Sequence, residues 1–179
     1  MGTCSFFGHR NAELTESEAT YLEELLVQLI TQEGIDTFLF GSKSAFDSYC
    51  LEVVTRLQQT YPYIKRLYYR TAPLKMPEYY KKYLLECYEG TEMAERIDKA
   101  GRATYVERNQ EMILASNVCI FYYDEFYQPT PKKWSKKDLF PRKRNSGTKV
   151  AYEFAQQKYR AGTLSKIYNV FENNMDTTI

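Results

Sequence analysis

The sequence has few of the side chains that bind transition metals. It has one histidine, and its four cysteines are widely separated, at Cys4, Cys50, Cys87 and Cys119. No two cysteines form a CxxC pair, which argues against a Cys/His metal site. We therefore expect no metal and no other cofactor. We expect four reduced thiols in a cytosolic protein, with Cys4 and Cys119 buried in strands.

Long hydrophobic runs and an excess of one charge are also missing. No stretch approaches the roughly 20 apolar residues of a membrane span, and the N-terminus does not resemble a signal peptide. The formal net charge is +1, from 24 basic and 23 acidic residues. We expect a cytoplasmic protein, and we expect neither a membrane nor nucleic acid as its partner.

Tyrosine, by contrast, is abundant, with 17 among 179 residues. Tyrosine rings can stack on nucleobases, and their hydroxyl groups can bond to ribose or phosphate. Tyrosine also fills half-buried positions with an apolar ring and a solvated hydroxyl, which is the more common use of any single one. Composition alone leaves both interpretations open.

Hydrophobic periodicity predicts strands that alternate with helices. Strands are predicted at residues 3–7, 36–40, 64–69, 118–122 and 166–171. Helices are predicted from Thr15 to before Gly34, and at residues 45–60, 78–87, 106–116 and 148–160. This order indicates an α/β fold, a Rossmann-like three-layer sandwich with a mainly parallel sheet flanked by helices. We expect one domain over residues 1–172 and a flexible tail over residues 173–179.

Polar segments follow three of the predicted strands, at residues 8–10, 41–47 and 145–148. In open parallel sheets, ligands bind beyond the carboxyl ends of the strands, where the strand order reverses. The placement of these segments therefore predicts a binding crevice at that edge of the sheet.

The segment Ser146, Gly147 and Thr148 opens a predicted helix and offers backbone N–H groups, two hydroxyls and a helix dipole. These features favour a bound phosphate. Serine and threonine are also ordinary helix N-caps, so a purely structural role is the alternative.

Gly8, His9 and Arg10 follow the first predicted strand. Gly8 allows a sharp turn, Arg10 can bind phosphate or carboxylate through two N–H groups, and His9 can hydrogen-bond or carry a proton. The alternative is a histidine that caps a helix and an arginine on the surface.

Gly41, Ser42 and Lys43 form a second turn between strand and helix, with donors and a cation. The GxxxxGK[ST] spacing of a P-loop is absent. Asp47 lies one helical turn further on, where it either caps the helix or contacts a ribose hydroxyl.

Glu107, Arg108 and Asn109 begin the predicted helix before residues 118–122, and Met112 lies on the same helical face as Arg108. Arg108 either faces the crevice or belongs to an exposed group of charges in the first turn. The following strand ends at residues 122–124, where Tyr123 or Asp124 can lie along a base or ribose.

Residues 131–144 carry seven basic side chains. They fit a lid over a phosphorylated ligand, a nucleic-acid contact with Trp134 as a stacking residue, or a solvated loop. The role of this loop stays open.

Four segments, taken in order, resemble the motifs of the YpsA-like branch of the SLOG superfamily, the Rossmann-like group that contains the Smf/DprA and LOG proteins. Residues 4–10 resemble its "FTGHR" opening, and residues 40–47 resemble a Gly-rich turn ending in "GFD". Residues 107–112 resemble "RNxxM", and residues 146–151 resemble "SGTxxA". Together the segments span nearly the whole chain.

The resemblance implies that the protein binds a nucleotide or nucleotide-derived ligand, similar to NAD and ADP-ribose or to a nucleoside phosphate, as a sensor or sequestering module. LOG relatives are phosphoribohydrolases, so the alternative is an N-glycosidic hydrolase of nucleoside monophosphates. In that case the likeness makes Arg108 catalytic, and Glu107 is a candidate carboxylate. LOG-like relatives often pair through helices, which implies a homodimer.

The sequence departs from the LOG pattern at the position of the catalytic glutamate, which falls on Ala151. Glu153 is two residues further on and therefore lies on another face of the helix. Because cleavage of an N-glycosidic bond needs a carboxylate or its equivalent, this departure favours binding over hydrolysis. A DNA-binding relative of DprA is a third interpretation, and it rests on the basic loop alone.

Overall fold

A computed structural model describes residues 1–41, 44–71, 77–93, 103–128 and 146–171. Within these ranges strands and helices alternate. The strands are β1 (Gly2–Gly8), β2 (Ile35–Phe40), β3 (Lys65–Tyr69), β4 (Gly90–Glu92), β5 (Val118–Tyr122) and β6 (Lys166–Asn169). The helices are α1 (Glu16–Gln32), α2 (Ala45–Gln58), α3 (Glu78–Cys87), α4 (Thr104–Leu114) and α5 (Gly147–Arg160).

The six strands form one sheet in the order β4-β3-β2-β1-β5-β6. Every neighbouring pair is parallel. The structure confirms the predicted Rossmann-like α/β fold, with a sheet that is parallel throughout. The chain adds β2, β3 and β4 on one side of β1 and then β5 and β6 on the other. The strand order therefore reverses between β1 and β5, and we call this boundary the switch point.

The two faces of the sheet carry separate hydrophobic cores. Consecutive residues of β1 point to opposite faces, so Phe6 packs in one core and Phe7 in the other. The core around Phe6 includes side chains of α1, α2 and α3. The core around Phe7 includes side chains of α4 and α5, such as Met112 and Ala151. Helices therefore cover both faces, as the predicted three-layer sandwich requires.

Helix α1 illustrates how local sequence sets the element boundaries. The Thr15 hydroxyl accepts a hydrogen bond from the Glu18 amide, and the Glu18 carboxylate accepts one from the Thr15 amide. This reciprocal cap fixes the start of the helix. Gly34 follows its end with φ 66°, a conformation that favours glycine. Five apolar side chains then form the buried stripe: Leu22, Leu25, Leu26, Leu29 and Ile30.

The sequence did not reveal β4. Its three residues lie at the edge of the sheet and are too short for a clear alternation. The carboxylate of Glu89 just before it accepts hydrogen bonds from the Arg66 side chain at 2.6 and 3.3 Å. This contact, which depends on the tertiary fold, attaches the short strand to β3. Two element boundaries also differ slightly from the prediction. Helix α4 begins two residues before its predicted start, and β6 ends at Asn169 and not at residue 171.

Candidate functional site

His9 connects the two strands at the switch point. It follows β1 directly, and its side chain is buried, with 2% of its surface exposed. The Asp124 amide, just beyond β5, donates a hydrogen bond of 3.0 Å to His9 Nε2. The His9 ring stacks on Tyr127, with 3.9 Å between ring centroids. These contacts fix the position and orientation of the imidazole.

The environment of His9 favours its neutral form. Burial lowers the pKa of the imidazole, and the backbone and carboxylate of Asp124 oppose that shift. Nδ1 is also buried, and in the part of the chain that the structure describes it has no hydrogen-bond partner. Because the bond of His9 goes to a strand end, the helix-capping alternative for this residue is wrong.

Arg10 and the start of α2 meet through the main chain. The Ala45 amide donates a hydrogen bond of 3.0 Å to the Arg10 carbonyl, and the Arg10 side chain is exposed. The Ser44 hydroxyl accepts from the Asp47 amide at 3.1 Å and thereby caps α2. Two first-turn amides of α2, those of Ala45 and Asp47, thus have acceptors inside the protein. The predicted site residues Ser42 and Lys43 lie outside the described residues.

Arg108 is buried, with 4% of its surface exposed, so its interpretation as an exposed charge is wrong. Its Nη1 donates a hydrogen bond to the Gly41 carbonyl, and its Nη2 donates to Asn109 Oδ1 at 2.9 Å. Burial lowers the pKa of the guanidinium, and the charge of buried Asp47 opposes that shift. Arg108 therefore joins the end of β2 to α4, and its positive charge lies near the carboxylate of Asp47 at the start of α2.

Gly41 permits this contact because it has no side chain. A Cβ atom at Gly41 would lie 2.8 Å from Met112 Sδ and 3.0 Å from Arg108 Nε. Met112 and Arg108 thus share one face of α4, as their spacing predicts.

Gly8 serves close packing and not the turn that the sequence suggested. It is the last residue of β1, and a Cβ atom there would lie 2.4 Å from Phe46 Cβ. The start of α2 therefore packs directly against the end of β1.

The start of α5 has the features predicted for a phosphate site. Ser146 caps the helix, and its hydroxyl accepts from the Lys149 amide at 3.0 Å. The amides of Gly147 and Thr148 are first-turn donors, which have no acceptor within the helix. Gly147 is exposed, with no atom within 4 Å of a Cβ placed there, and the first turn has no acidic residue.

Tyr123 connects β5 to α5 and β6. Its ring stacks on Tyr152 of α5, with 4.5 Å between centroids, and its amide and carbonyl both bond to the Asn169 side chain at 2.9 Å. Sequence reasoning missed Asn169 and Tyr127. Asn169 could have been noticed as a side-chain amide at the end of a predicted strand. Tyr127 could have been noticed as an aromatic residue soon after another.

No carboxylate of α5 occupies the position at which LOG enzymes have their catalytic glutamate. Ala151 is 2% exposed and packs in the core, where LOG enzymes have their glutamate. Glu153 is exposed, and its Oε1 lies 3.9 Å from Lys149 Nζ on the outer side of α5. Glu107 lies in the first turn of α4 and is half-buried.

The predicted site residues thus form two connected groups. The first group lies around the switch point and comprises Gly8, His9 and Tyr123. The stack of Tyr123 on Tyr152 joins this group to α5, which begins with Ser146, Gly147 and Thr148. The second group comprises Gly41, Asp47, Arg108 and Asn109. The hydrogen bond between Arg10 and Ala45 connects the two.

All four cysteines are free thiols, and Cys4 and Cys119 are buried in β1 and β5 as predicted. The described ranges contain no group of three potential metal ligands. Of the helices within them, none has the length and apolar character to cross a membrane.

A parallel sheet that reverses its order at β1, with glycines and polar groups at the strand ends, defines a Rossmann-like domain. The model of the YspA SLOG family matches residues 4–154, a range that contains all four sequence motifs. The chain therefore belongs to this SLOG family, as its motifs predicted, and membership indicates a nucleotide-related role. A comparison with curated proteins found no match.

Proposed function

We propose that the protein binds a nucleotide or nucleotide-derived ligand, of the ADP-ribose, NAD or nucleoside phosphate type, as a sensor or sequestering module. The observation that carries the proposal is the open start of α5, with its first-turn donors, its exposed Gly147 and no acidic residue. The ligand phosphate would accept hydrogen bonds from Ser146, Gly147 and Thr148 there.

The contrast with α2 supports this choice of helix. Both helices present the positive end of their dipole at the carboxyl edge of the sheet. The first turn of α2 contains Asp47 and donates to the Arg10 carbonyl, whereas that of α5 has no acid. An anion is therefore favoured at α5. The exposed Arg10 side chain can supply a positive charge from the β1 loop, and half-buried Tyr123 can contact a base or ribose.

Hydrolysis is the less favoured function. A buried alanine replaces the carboxylate of the LOG pattern on α5, and Glu153 faces solvent beside Lys149. The guanidinium of Arg108 is already bonded to Gly41 and Asn109. We therefore expect the ligand to be recovered intact after binding.

A pair of isosteric substitutions at Gly147 tests the position of the phosphate. Gly147→Asp adds a carboxylate, which suits a helix N-terminus but repels an anion, whereas Gly147→Asn adds a neutral group of the same size. Space is available for either side chain. We expect the Asp variant to bind at least about tenfold more weakly than the Asn variant, or about 1.4 kcal/mol, with no loss of thermal stability.

The measurement is isothermal titration with AMP, ADP-ribose, NAD and cyclic AMP, followed by chromatography of each mixture. Saturable binding with intact ligand supports a binding module. Released base or nicotinamide supports the hydrolase instead and makes Arg108 and Glu107 the next targets. Equal affinities of the Asp and Asn variants would show that the phosphate does not lie at α5.

A further inference from the structure

The hydrogen bonds of His9 favour one nitrogen of the ring as the site of its proton. A backbone N–H can only donate, and the Asp124 nitrogen lies 3.0 Å from His9 Nε2 with its hydrogen directed at the ring. The Asp124 carbonyl oxygen is also 3.2 Å from Nε2 and is the acceptor for the opposite tautomer. Because the amide nitrogen is the nearer of the two and can only donate, we assign Nε2 as the acceptor and place the proton of the neutral ring on Nδ1.

That proton has no acceptor among the described residues. Nδ1 is buried and makes no hydrogen bond there, although the residue is 98% removed from solvent. Buried donors are nearly always paired, because an unpaired one loses its bond to water and gains nothing in return. His9 also occupies the position after β1 at the switch point, where ligands of such sheets bind.

We propose that Nδ1–H of neutral His9 donates a hydrogen bond to an acceptor oxygen of the bound nucleotide. This inference rests on the proposed function and names one contact within it. The bond from Asp124 and the stack on Tyr127 hold the ring, so Nδ1 presents its proton in one fixed direction. Any ligand oxygen with a free lone pair, whether phosphoryl, hydroxyl or carbonyl, can accept this hydrogen bond. The negative charge of the phosphate would lie at the start of α5.

The chain has a single histidine, so its imidazole nitrogens give one unambiguous set of nuclear magnetic resonance signals. Long-range ¹H–¹⁵N spectra of the free protein should show Nδ1 protonated and Nε2 unprotonated. Addition of saturating AMP or ADP-ribose should shift the Nδ1 signal. Inorganic phosphate and adenosine, added separately, then show whether the acceptor is a phosphoryl oxygen or belongs to the nucleoside. A protonated Nε2, or an Nδ1 signal that no nucleotide moves, overturns the inference.

Two substitutions separate ligand contact from structural support. The amide of Gln can place its oxygen near Nε2, so His9→Gln keeps an acceptor for the Asp124 amide but loses the Nδ1 donor. The shorter His9→Asn places its amide near Nδ1 and loses the bond to Asp124. We expect His9→Gln to keep its thermal stability and to bind AMP or ADP-ribose at least about tenfold more weakly. His9→Asn should keep more of the affinity and lose stability.

These measurements distinguish failure of the His9 contact from failure of the proposed nucleotide-binding function. Loss of affinity in Gly147→Asp together with unchanged affinity in His9→Gln keeps the nucleotide site and overturns the role of His9. If no nucleotide binds to the wild-type protein, both proposals fail. The spectra of the wild-type protein and the Gln variant decide the question even if His9→Asn does not fold.

Discussion

The guanidinium of Arg108 donates a hydrogen bond to the main-chain carbonyl of Gly41, a residue 67 positions earlier in the chain. The contact joins the N-terminal half of α4 to the end of β2. Both residues occur in motifs that suggest direct ligand binding, yet here they bind each other. The Gly41 carbonyl and the Arg108 guanidinium therefore already have partners within the fold.

Three Gly→Ala substitutions should have different effects on stability. In Gly8→Ala the new Cβ would lie 2.4 Å from Phe46 Cβ, an atom fixed to the backbone of α2. Gly41→Ala meets Met112 Sδ and Arg108 Nε, which can move more easily, and should cost about 1–3 kcal/mol. We expect a larger cost for Gly8→Ala. Gly147→Ala is the control and should be neutral or stabilising by about 0.4–1 kcal/mol. Urea unfolding measures all three, and equal effects would contradict the packing described.

Arg108→Met should destabilise the protein because it removes a positive charge from the neighbourhood of buried Asp47. The lost attraction between the two charges adds to the loss of the hydrogen bond to the buried Gly41 carbonyl, which alone costs about 1–3 kcal/mol. The double substitution Arg108→Met with Asp47→Asn removes the negative charge as well and should recover part of that loss. The free energies of unfolding of the single and double variants give the coupling. Additive effects would show that the two charges do not interact.

Stability should decrease in mildly acidic solution because of His9. Burial lowers the pKa of this residue in the folded protein from its ordinary 6.5, so the unfolded chain binds the proton first. The contribution of His9 is complete above pH 6.5 and is lost as the pH falls from there towards the folded-state pKa. Asp124 is the charged group that opposes this effect. Unfolding at about pH 7.5 and about pH 5.5 should show a smaller decrease in His9→Gln than in wild type. Identical decreases would contradict the assignment.

A second loss of stability should occur at lower pH through Glu89. Burial opposes its ionisation, but hydrogen bonds from Arg66 and Gln58 outweigh burial and lower the pKa from 4.5 to about 2. The carboxylate therefore stabilises the fold above pH 4.5, and this contribution is lost as the pH falls from 4.5 to about 2. Glu89→Gln should flatten the curve in this range and increase amide exchange in β4. If exchange in Gly90–Glu92 is unchanged, Glu89 does not attach the edge strand.

Much of the fold follows from local sequence. Thr15 and Ser146 each cap a helix at the expected place, and apolar periodicity identified the five longer strands. The cap of α2 is Ser44 and not Asp47, which the sequence suggested. These signals are short-range, so a single sequence carries them. The edge strand β4 has three residues and depends on the contact between Arg66 and Glu89, so no local pattern identifies it.

The site was less predictable, because its polar groups have partners far away in sequence. The sequence placed His9 and Arg108 at the correct edge of the sheet. It did not show that Arg108 is buried against Gly41, or that His9 accepts a bond from Asp124, 115 residues later. A charged residue near a helix start is usually exposed, and only the tertiary structure shows that this one is not.

The order of the strands has a consequence for folding. β1 is made first, but one of its neighbours, β5, is made only after β2, β3 and β4. An incomplete chain that ends before β5 has His9 without Asp124 and lacks the first turn of α5. The contact between β1 and β5 at the switch point therefore forms only after the strands on the other side of β1 have been synthesised.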